Sequence, residues 1–61
     1  MKHKFNIKEE ITGSFSNGRQ FSGVIVELEE DESRAAYIVD DGLGTFLIYE
    51  SEIKTVDGVP V

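Results

Sequence analysis

The stretch that decides the fold is ITGSFSNGRQFSGVIVEL, residues 11 to 28. At its start, apolar residues alternate with small or polar ones, which predicts a half-buried strand with Ile11 and Phe15 on one face. Asn17 and Gly18 follow at once, and this pair favours a type I′ hairpin turn because both residues tolerate positive φ. The sequence therefore predicts a β-hairpin with a long return strand.

The return strand, predicted over residues 19–28, changes phase along its length. Phe21 and Ile25 lie on one face and Val26 lies on the other, and a regular strand cannot present both sets to one core. Gly23 marks the position where a bulge or sharp bend is expected. Because a small closed barrel needs one strongly bent strand that serves both halves of its sheet, the pattern favours a barrel over a flat sheet.

The rest of the chain predicts three more strands and their connections. In order, these are an exposed polar loop over 29–34, a strand over 35–39, an Asp-Gly turn over 40–44, a strand over 45–49, one turn of 3₁₀-helix over 50–53 and a strand over 54–56. Residues 57–61 are expected to form a loose tail because they contain Pro60 and end the chain. The predicted fold is all-β, with five short strands.

Three segments carry a family resemblance, namely FSGVIV at 21–26, YIVDDG at 37–42 and ESEI at 50–53. They are similar to the bent glycine-containing strand, the Y-x-V…D-G hairpin and the E-S-x-L/I turn of the Src-homology-3-like small β-barrels, including the Tudor-like and KOW-like groups. The resemblance covers about residues 5–56. It implies a five-stranded barrel with a one-turn 3₁₀-helix before the last strand, of the kind found as stand-alone bacterial or phage proteins.

Length and composition exclude several classes of protein. A chain of 61 residues accommodates one domain, which we expect to span 1–61 with its core at about 5–56. Cysteine is absent, so disulfides and thiolate metal sites are excluded, and no apolar run approaches the roughly 20 residues of a membrane span. The first residues lack the apolar run of a signal peptide, so we expect a cytoplasmic protein without a membrane partner.

The sequence carries no pattern typical of catalysis or metal binding. The single histidine, His3, lies in a segment expected to be mobile, and the carboxylates are expected in solvated turns. The alternate positions after Asp40 are Gly42 and Gly44, so the calcium-loop pattern fails. We therefore predict no enzyme activity, no catalytic residue, no metal and no cofactor.

Charge is distributed unevenly along the chain. Twelve acidic residues against six basic ones give a net charge of −6, of which residues 21–61 carry −8 and residues 1–20 carry +2. An ordinary phosphate-binding face depends on Lys and Arg, so nucleic acid is an unexpected partner. The acidic region either provides solubility or forms a face that docks on a basic surface.

The candidate binding residues are acids of this face and two tyrosines, whose hydroxyls favour a rim position. The set comprises Glu29, Glu30, Asp31, Glu32, Asp40, Asp41, Tyr37 and Tyr49, and Glu27, Glu50 and Glu52 extend the acidic face. The first hypothesis is a non-enzymatic protein-binding module that contacts a basic protein surface through the acidic loop and an edge strand. Two alternatives stay open. One is an acidic nucleic-acid mimic that inhibits a DNA- or RNA-handling protein, and the other is a weak nucleic-acid binder using the basic strip Lys2, Lys4, Lys8 and Arg19.

Overall fold

A computed structural model describes residues 2–61 and arranges them in one antiparallel sheet of six strands. The strands are β1 (Glu10–Ser14), β2 (Gln20–Asp31), β3 (Arg34–Asp40), β4 (Thr45–Tyr49), β5 (Ile53–Val56) and β6 (Val59–Pro60), and the 3₁₀-helix η1 (Glu50–Glu52) precedes β5. Their order in the sheet is β4-β3-β2-β1-β5-β6. The all-β class and the 3₁₀ turn before β5 are confirmed.

The turn between β1 and β2 differs from the predicted type I′ turn. Only Gly18 has a positive φ, 89°, and the Phe15 N–H donates to the Arg19 carbonyl at 2.7 Å. The Asn17 side chain accepts a 2.9 Å hydrogen bond from the Arg19 N–H instead of occupying a left-handed position in the turn. The predicted hairpin is confirmed, but its loop has three residues and ends on a left-handed glycine.

The strand β2 is long enough to pair with two neighbours in succession. Its first half pairs with β1, where Ile11 lies opposite Gly23, and its second half pairs with β3. The register shifts between Ile25 and Glu27, so the bulged residue is Val26 and not Gly23. A Cβ on Gly23 would lie 2.6 Å from the Asp40 carbonyl oxygen. The glycine is therefore required by a close approach of β3, and the phase change is produced three residues later.

The core lies on one face of this sheet. Its buried members come from all five longer strands: Ile11, Phe21, Ile25, Tyr37, Val39, Ile48 and Ile53. Phe5, Phe15 and Phe46 are partly buried and pack against this cluster, so all four phenylalanines of the chain contribute to the core. Ile53 follows η1 directly and is 4% exposed, as expected for a residue that closes the end of the core.

The C-terminal residues form a sixth strand and not the predicted loose tail. Asp57 and Gly58 have φ values of 50° and 82°, which makes a two-residue turn of the type I′ class between Val56 and Val59. β6 then pairs with β5, whose other edge is taken by β1. Among residues 2–61 no pairing joins β4 to β5 or β6, so the sheet is open. The prediction of a closed five-stranded barrel is wrong in strand number and in closure, because β6 occupies the free edge of β5.

The acidic segment predicted as a loop over 29–34 is mostly strand. β2 continues to Asp31 and β3 begins at Arg34, with Glu32 and Ser33 as the two turn residues at φ 50° and 67°. Two positive φ values in succession define a type I′ turn. The acids of this hairpin therefore alternate between the two faces of β2.

Candidate functional site

The strand β4 forms one edge of the sheet and, among residues 2–61, pairs only with β3. Its sequence, TFLIY, contains no charge and no proline, and Leu47 is 41% exposed. Proteins usually protect edge strands with charges, proline or short length. The opposite edge, β6, has two of these features, since it contains Pro60 and is two residues long. β4 is therefore the unprotected edge of the molecule.

Backbone groups of β4 point away from the sheet at alternate residues. The Tyr49 N–H donates to Glu52 Oε1 at 2.8 Å, on the side that leads into η1 and not toward β3. Residues two apart in a strand direct their N–H and C=O groups to the same side. Leu47 and Thr45 therefore present their backbone donors and acceptors on the open edge.

A row of side chains crosses the outer face of the sheet, the face opposite the core. Glu27 on β2 lies opposite Ile38 on β3, and Ile38 lies opposite Leu47 on β4. Residues paired in this way share a face of the sheet. Val26, the bulged residue next to this row, is 43% exposed. We name Val26, Glu27, Ile38 and Leu47 the outer row; it joins exposed apolar surface to the open edge of β4.

Two carboxylates lie side by side at the β2 end of the outer row. Glu29 is two residues from Glu27 in β2, so both lie on the same face. A side-chain hydrogen bond with Glu27, the negative charge of Glu27 and a small burial raise the pKa of Glu29. The mutual repulsion of the two acids would be relieved by a cation placed between them.

Tyr49 lies at the end of β4, beside the tip of the β2–β3 hairpin. Its hydroxyl donates to Asp31 Oδ2, and the Cζ of Arg34 lies 3.6 Å from the centroid of its ring. The hydrogen bond to Asp31, burial and the charge of Asp31 raise the pKa of Tyr49, against the opposing effect of Arg34. A groove of about 360 Å³ lies here, lined by Ser14, Ser16, Arg34, Tyr49, Ser51 and Glu52.

The predicted acidic face is divided between the two ends of β3. Glu29, Glu30, Asp31 and Glu32 belong to the β2–β3 hairpin, whereas Asp40 and Asp41 lie at the β3–β4 turn. The seven residues of β3 separate these ends by about 20 Å. Asp40 Oδ1 accepts the Gly42 N–H, and Asp41 Oδ1 accepts the N–H groups of Leu43 and Gly44. The structure thus places Glu29 and Asp31 on one face of β2 beside the turn residue Glu32, and it places Glu30 on the opposite face. Asp40 and Asp41 have a role in the β3–β4 turn.

Tyr37 is fully buried, so the predicted rim position of its hydroxyl is wrong. It donates a 2.6 Å hydrogen bond to Glu50 Oε2, and the same oxygen accepts the Lys4 N–H at 3.0 Å. His3 is half-buried, with Nε2 2.7 Å from the Glu29 carbonyl oxygen and its ring edge-on to Tyr37. The N-terminal segment is therefore docked on the sheet, and the expectation of a mobile terminus at His3 is wrong.

The Glu50 side chain binds this N-terminal segment as an ionised carboxylate. Burial by itself would raise the pKa of Glu50, but the hydrogen bonds from the Lys4 N–H and the Tyr37 hydroxyl, with the nearby charges of Lys4 and His3, outweigh it and lower that pKa. Glu52, the other acid of η1, accepts the Tyr49 N–H. The side chains of Glu50 and Glu52 therefore both accept hydrogen bonds that stabilise the local fold.

The cations of the predicted basic strip are exposed but do not form one strip. Lys8 precedes β1 and its N–H donates to the Ile25 carbonyl, whereas Arg19 follows β1 in the turn to β2. The length of β1 therefore separates them. Lys4 lies beside Glu50, at the η1 end of the molecule.

Two residues of the candidate site, Leu47 and Arg34, are absent from the set of binding residues predicted from the sequence. The absence of charge over residues 45–49 is a signal for an unprotected edge, but only if the strand order is known. The signal for Arg34 is that it is the only cation in the polar run 29–34.

Comparisons with known proteins found no matching family model, no similar curated protein and no similar solved structure. Within the part of the chain that the structure describes, no helix has the length and apolar character needed to cross a membrane. Over the same residues, 2–61, no group of three or more His, Cys, Asp or Glu side chains is placed to hold a metal ion.

Proposed function

We propose that this chain is a non-enzymatic protein-binding module that adds an extended segment of a partner protein to the open edge of β4. The observation that carries the proposal is the unprotected edge itself, with free backbone groups at Thr45 and Leu47. Addition of a strand to a sheet edge takes its affinity from main-chain hydrogen bonds and its specificity from alternate side chains. The outer row supplies exposed apolar contacts for those side chains.

The chemistry of the partner follows from the charge beside the edge. Glu27 belongs to the outer row, and Glu29, Asp31 and Glu32 lie between that row and the end of the β2–β3 hairpin, so an added strand with basic residues would be attracted. A second copy of this chain would bring the same acids and a net charge of −6 against them. Like charges brought together at an interface cost on the order of several kcal/mol. The favoured partner is a basic segment of another protein, in a cytoplasmic setting.

The Src-homology-3-like resemblance is retained as part of this proposal. The order β4-β3-β2-β1-β5, the long bulged β2 and the 3₁₀ turn before β5 support a relationship to those small barrels. In this proposal β6 is an addition that leaves the β4 edge open for a partner.

The nucleic-acid mimic has less support, because Asp40 and Asp41 lie at the far end of β3 and accept backbone hydrogen bonds. Binding of nucleic acid through Lys8 and Arg19 also has less support, because β1 separates them.

A matched pair of variants tests the proposal. Leu47→Lys places a cation on the open edge, and Val59→Lys places the same charge on β6, where the side chain is 63% exposed. The probe is a capped synthetic peptide of about eight residues in which arginine alternates with valine, a pattern suited to strand addition. The proposal expects the wild type and Val59→Lys to bind the peptide and Leu47→Lys to lose at least about tenfold in affinity, about 1.4 kcal/mol. Equal binding by the two variants, or no binding by the wild type, would reject it.

A further inference from the structure

The ring of Tyr49 already holds a guanidinium group in the free protein. Arg34 lies at the start of β3 and places its Cζ 3.6 Å from the ring centroid, a distance typical of close stacking. The Tyr49 hydroxyl donates to the Asp31 carboxylate. Donation to a negative group increases electron density on the ring, and a cation is attracted to that density. The arrangement is therefore suited to a cation at the ring face.

The groove beside the ring offers acceptors to such a cation. Besides Tyr49 and Arg34 it is lined by Ser14, Ser16 and Ser51, which provide hydroxyls, and by Glu52, which adds negative charge although its Oε1 already accepts the Tyr49 N–H. A guanidinium group has five N–H donors in one plane, and it can stack on a ring while its edge donates to several oxygens. An ammonium group is a compact point charge with three donors and no planar face, so it lacks the combination of flat stacking and a multiply donating edge that a guanidinium has. The groove is thus better matched to arginine than to lysine.

Arg34 is placed to leave this position when another group takes it. Its side chain is exposed, and it adjoins the two-residue turn of Glu32 and Ser33. A strand added at Thr45 and Leu47 would end beside Tyr49, whose own N–H is already bonded to Glu52 Oε1. A side chain at that end, on the same face of the sheet, would lie near the Tyr49 ring. A long side chain at that position reaches the ring and the groove that Arg34 lines.

We infer that the Tyr49 ring and its groove form a binding site for an arginine side chain of the partner, and that Arg34 occupies this site until the partner displaces it. This inference rests on the proposed function and names the side chain that anchors the added strand. Arg34 then acts as an internal competitor, so its removal strengthens binding by more than the change in charge alone would.

The test compares Arg34→Ala with Arg19→Ala. Both variants remove one exposed arginine and change the net charge equally, but Arg19 lies at the β1–β2 turn. With the alternating arginine–valine peptide at about 0.15 M salt, where long-range charge effects are screened, Arg34→Ala is expected to bind about two- to fivefold more tightly than Arg19→Ala. Tyr49→Leu in the Arg34→Ala background is expected to remove this gain. A lysine–valine peptide of the same length should show a smaller gain.

A second readout follows Arg34 itself. Its guanidinium carbon lies over an aromatic ring, so the adjacent Hε proton should be shifted by the ring current in the NMR spectrum of the free protein. Addition of the arginine peptide should return it toward the value of a free arginine. Equal affinities of Arg34→Ala and Arg19→Ala, or an Arg34 Hε proton that does not move in the bound wild type, would overturn the inference while leaving strand addition intact. Absence of peptide binding by every variant would reject the proposed function and the inference together.

Discussion

The hydroxyl of Tyr37 and the carboxylate of Glu50 form a 2.6 Å hydrogen bond that ties β3 to η1. Tyr37 has no exposed surface, and Glu50 also accepts the Lys4 N–H, so one carboxylate joins the core, η1 and the N-terminal segment. Burial and the bond to Glu50 raise the pKa of Tyr37 well above its ordinary value of 10.0. The pair is a structural element, and it makes Tyr37 a core residue.

Replacement of Tyr37 by phenylalanine should therefore lower stability without disturbing the packing of the ring. The expected loss is about 1–2 kcal/mol in the free energy of unfolding, the range for a lost hydrogen bond to a charged group that is partly exposed. Urea unfolding measures it. The control is Tyr49→Phe, which also removes a hydroxyl bonded to a carboxylate but at a more exposed position, and should cost less. Equal stabilities for Tyr37→Phe and the wild type would contradict this assignment.

Glu50 should also make stability depend on pH. Its pKa in the folded protein lies below the ordinary value of 4.5, so the native state favours the ionised form. The stabilisation is present above pH 4.5 and is lost as the pH falls through the folded pKa. The difference in unfolding free energy between the wild type and Glu50→Gln should therefore be largest near neutral pH and shrink below 4.5. Glu30→Gln, on an exposed residue of β2, serves as the control. If the difference in unfolding free energy between the wild type and Glu50→Gln grew on acidification, it would contradict this prediction.

Gly13 should tolerate no side chain. A Cβ there would lie 2.1 Å from the Glu52 carbonyl oxygen and 2.6 Å from Cζ of Phe21. Because the first contact is with backbone, relief requires movement of the η1–β5 junction, and Gly13→Ala should cost about 3 kcal/mol or more. At Gly44 a Cβ would meet nothing within 4 Å, so Gly44→Ala should change stability by less than about 0.5 kcal/mol. Thermal unfolding of the two variants side by side tests the contrast.

Substitution of the turn residues Glu32 and Ser33 should increase the stability of the protein. Both residues have positive φ, and neither is a type that adopts this conformation without cost. The double substitution Glu32→Asn and Ser33→Gly supplies the residues that a type I′ turn prefers and should stabilise the protein by about 1 kcal/mol. Glu32→Gln separates the effect of charge from that of backbone conformation. A double variant no more stable than Glu32→Gln would show that the turn is not strained.

Much of this fold is accessible from the sequence because local patterns and tertiary structure agree there. The alternation at Ile11 and Phe15, the apolar strand over 45–49 and the 3₁₀ turn before Ile53 each depend on neighbours in the chain. The acidic run over 29–34 is different, since its composition indicates a loop. It forms strand because its backbone pairs with that of β3, whatever the side chains are.

The candidate site is less accessible, because it depends on the order of the strands. The tail 57–61 contains Pro60, which cannot donate to a strand ladder, yet it pairs with β5 through the turn at Asp57 and Gly58. That pairing leaves β4 as an open edge, which no local pattern reveals. Tyr37 and Tyr49 have the same side-chain chemistry; only the register, with Tyr37 opposite Ile48 and Tyr49 opposite Ala36, places one in the core and the other beside the hairpin.

Amide hydrogen exchange at Leu47 and Thr45, with and without the arginine–valine peptide, tests strand addition at β4 most directly. In the free protein these two N–H groups face the open edge, whereas those of Phe46 and Ile48 face β3. Strand addition predicts that the peptide slows exchange at Leu47 and Thr45 and changes Phe46 and Ile48 little. Peptide binding that leaves the Leu47 and Thr45 amides exchanging at their free rates would contradict the assignment of β4 as the binding edge.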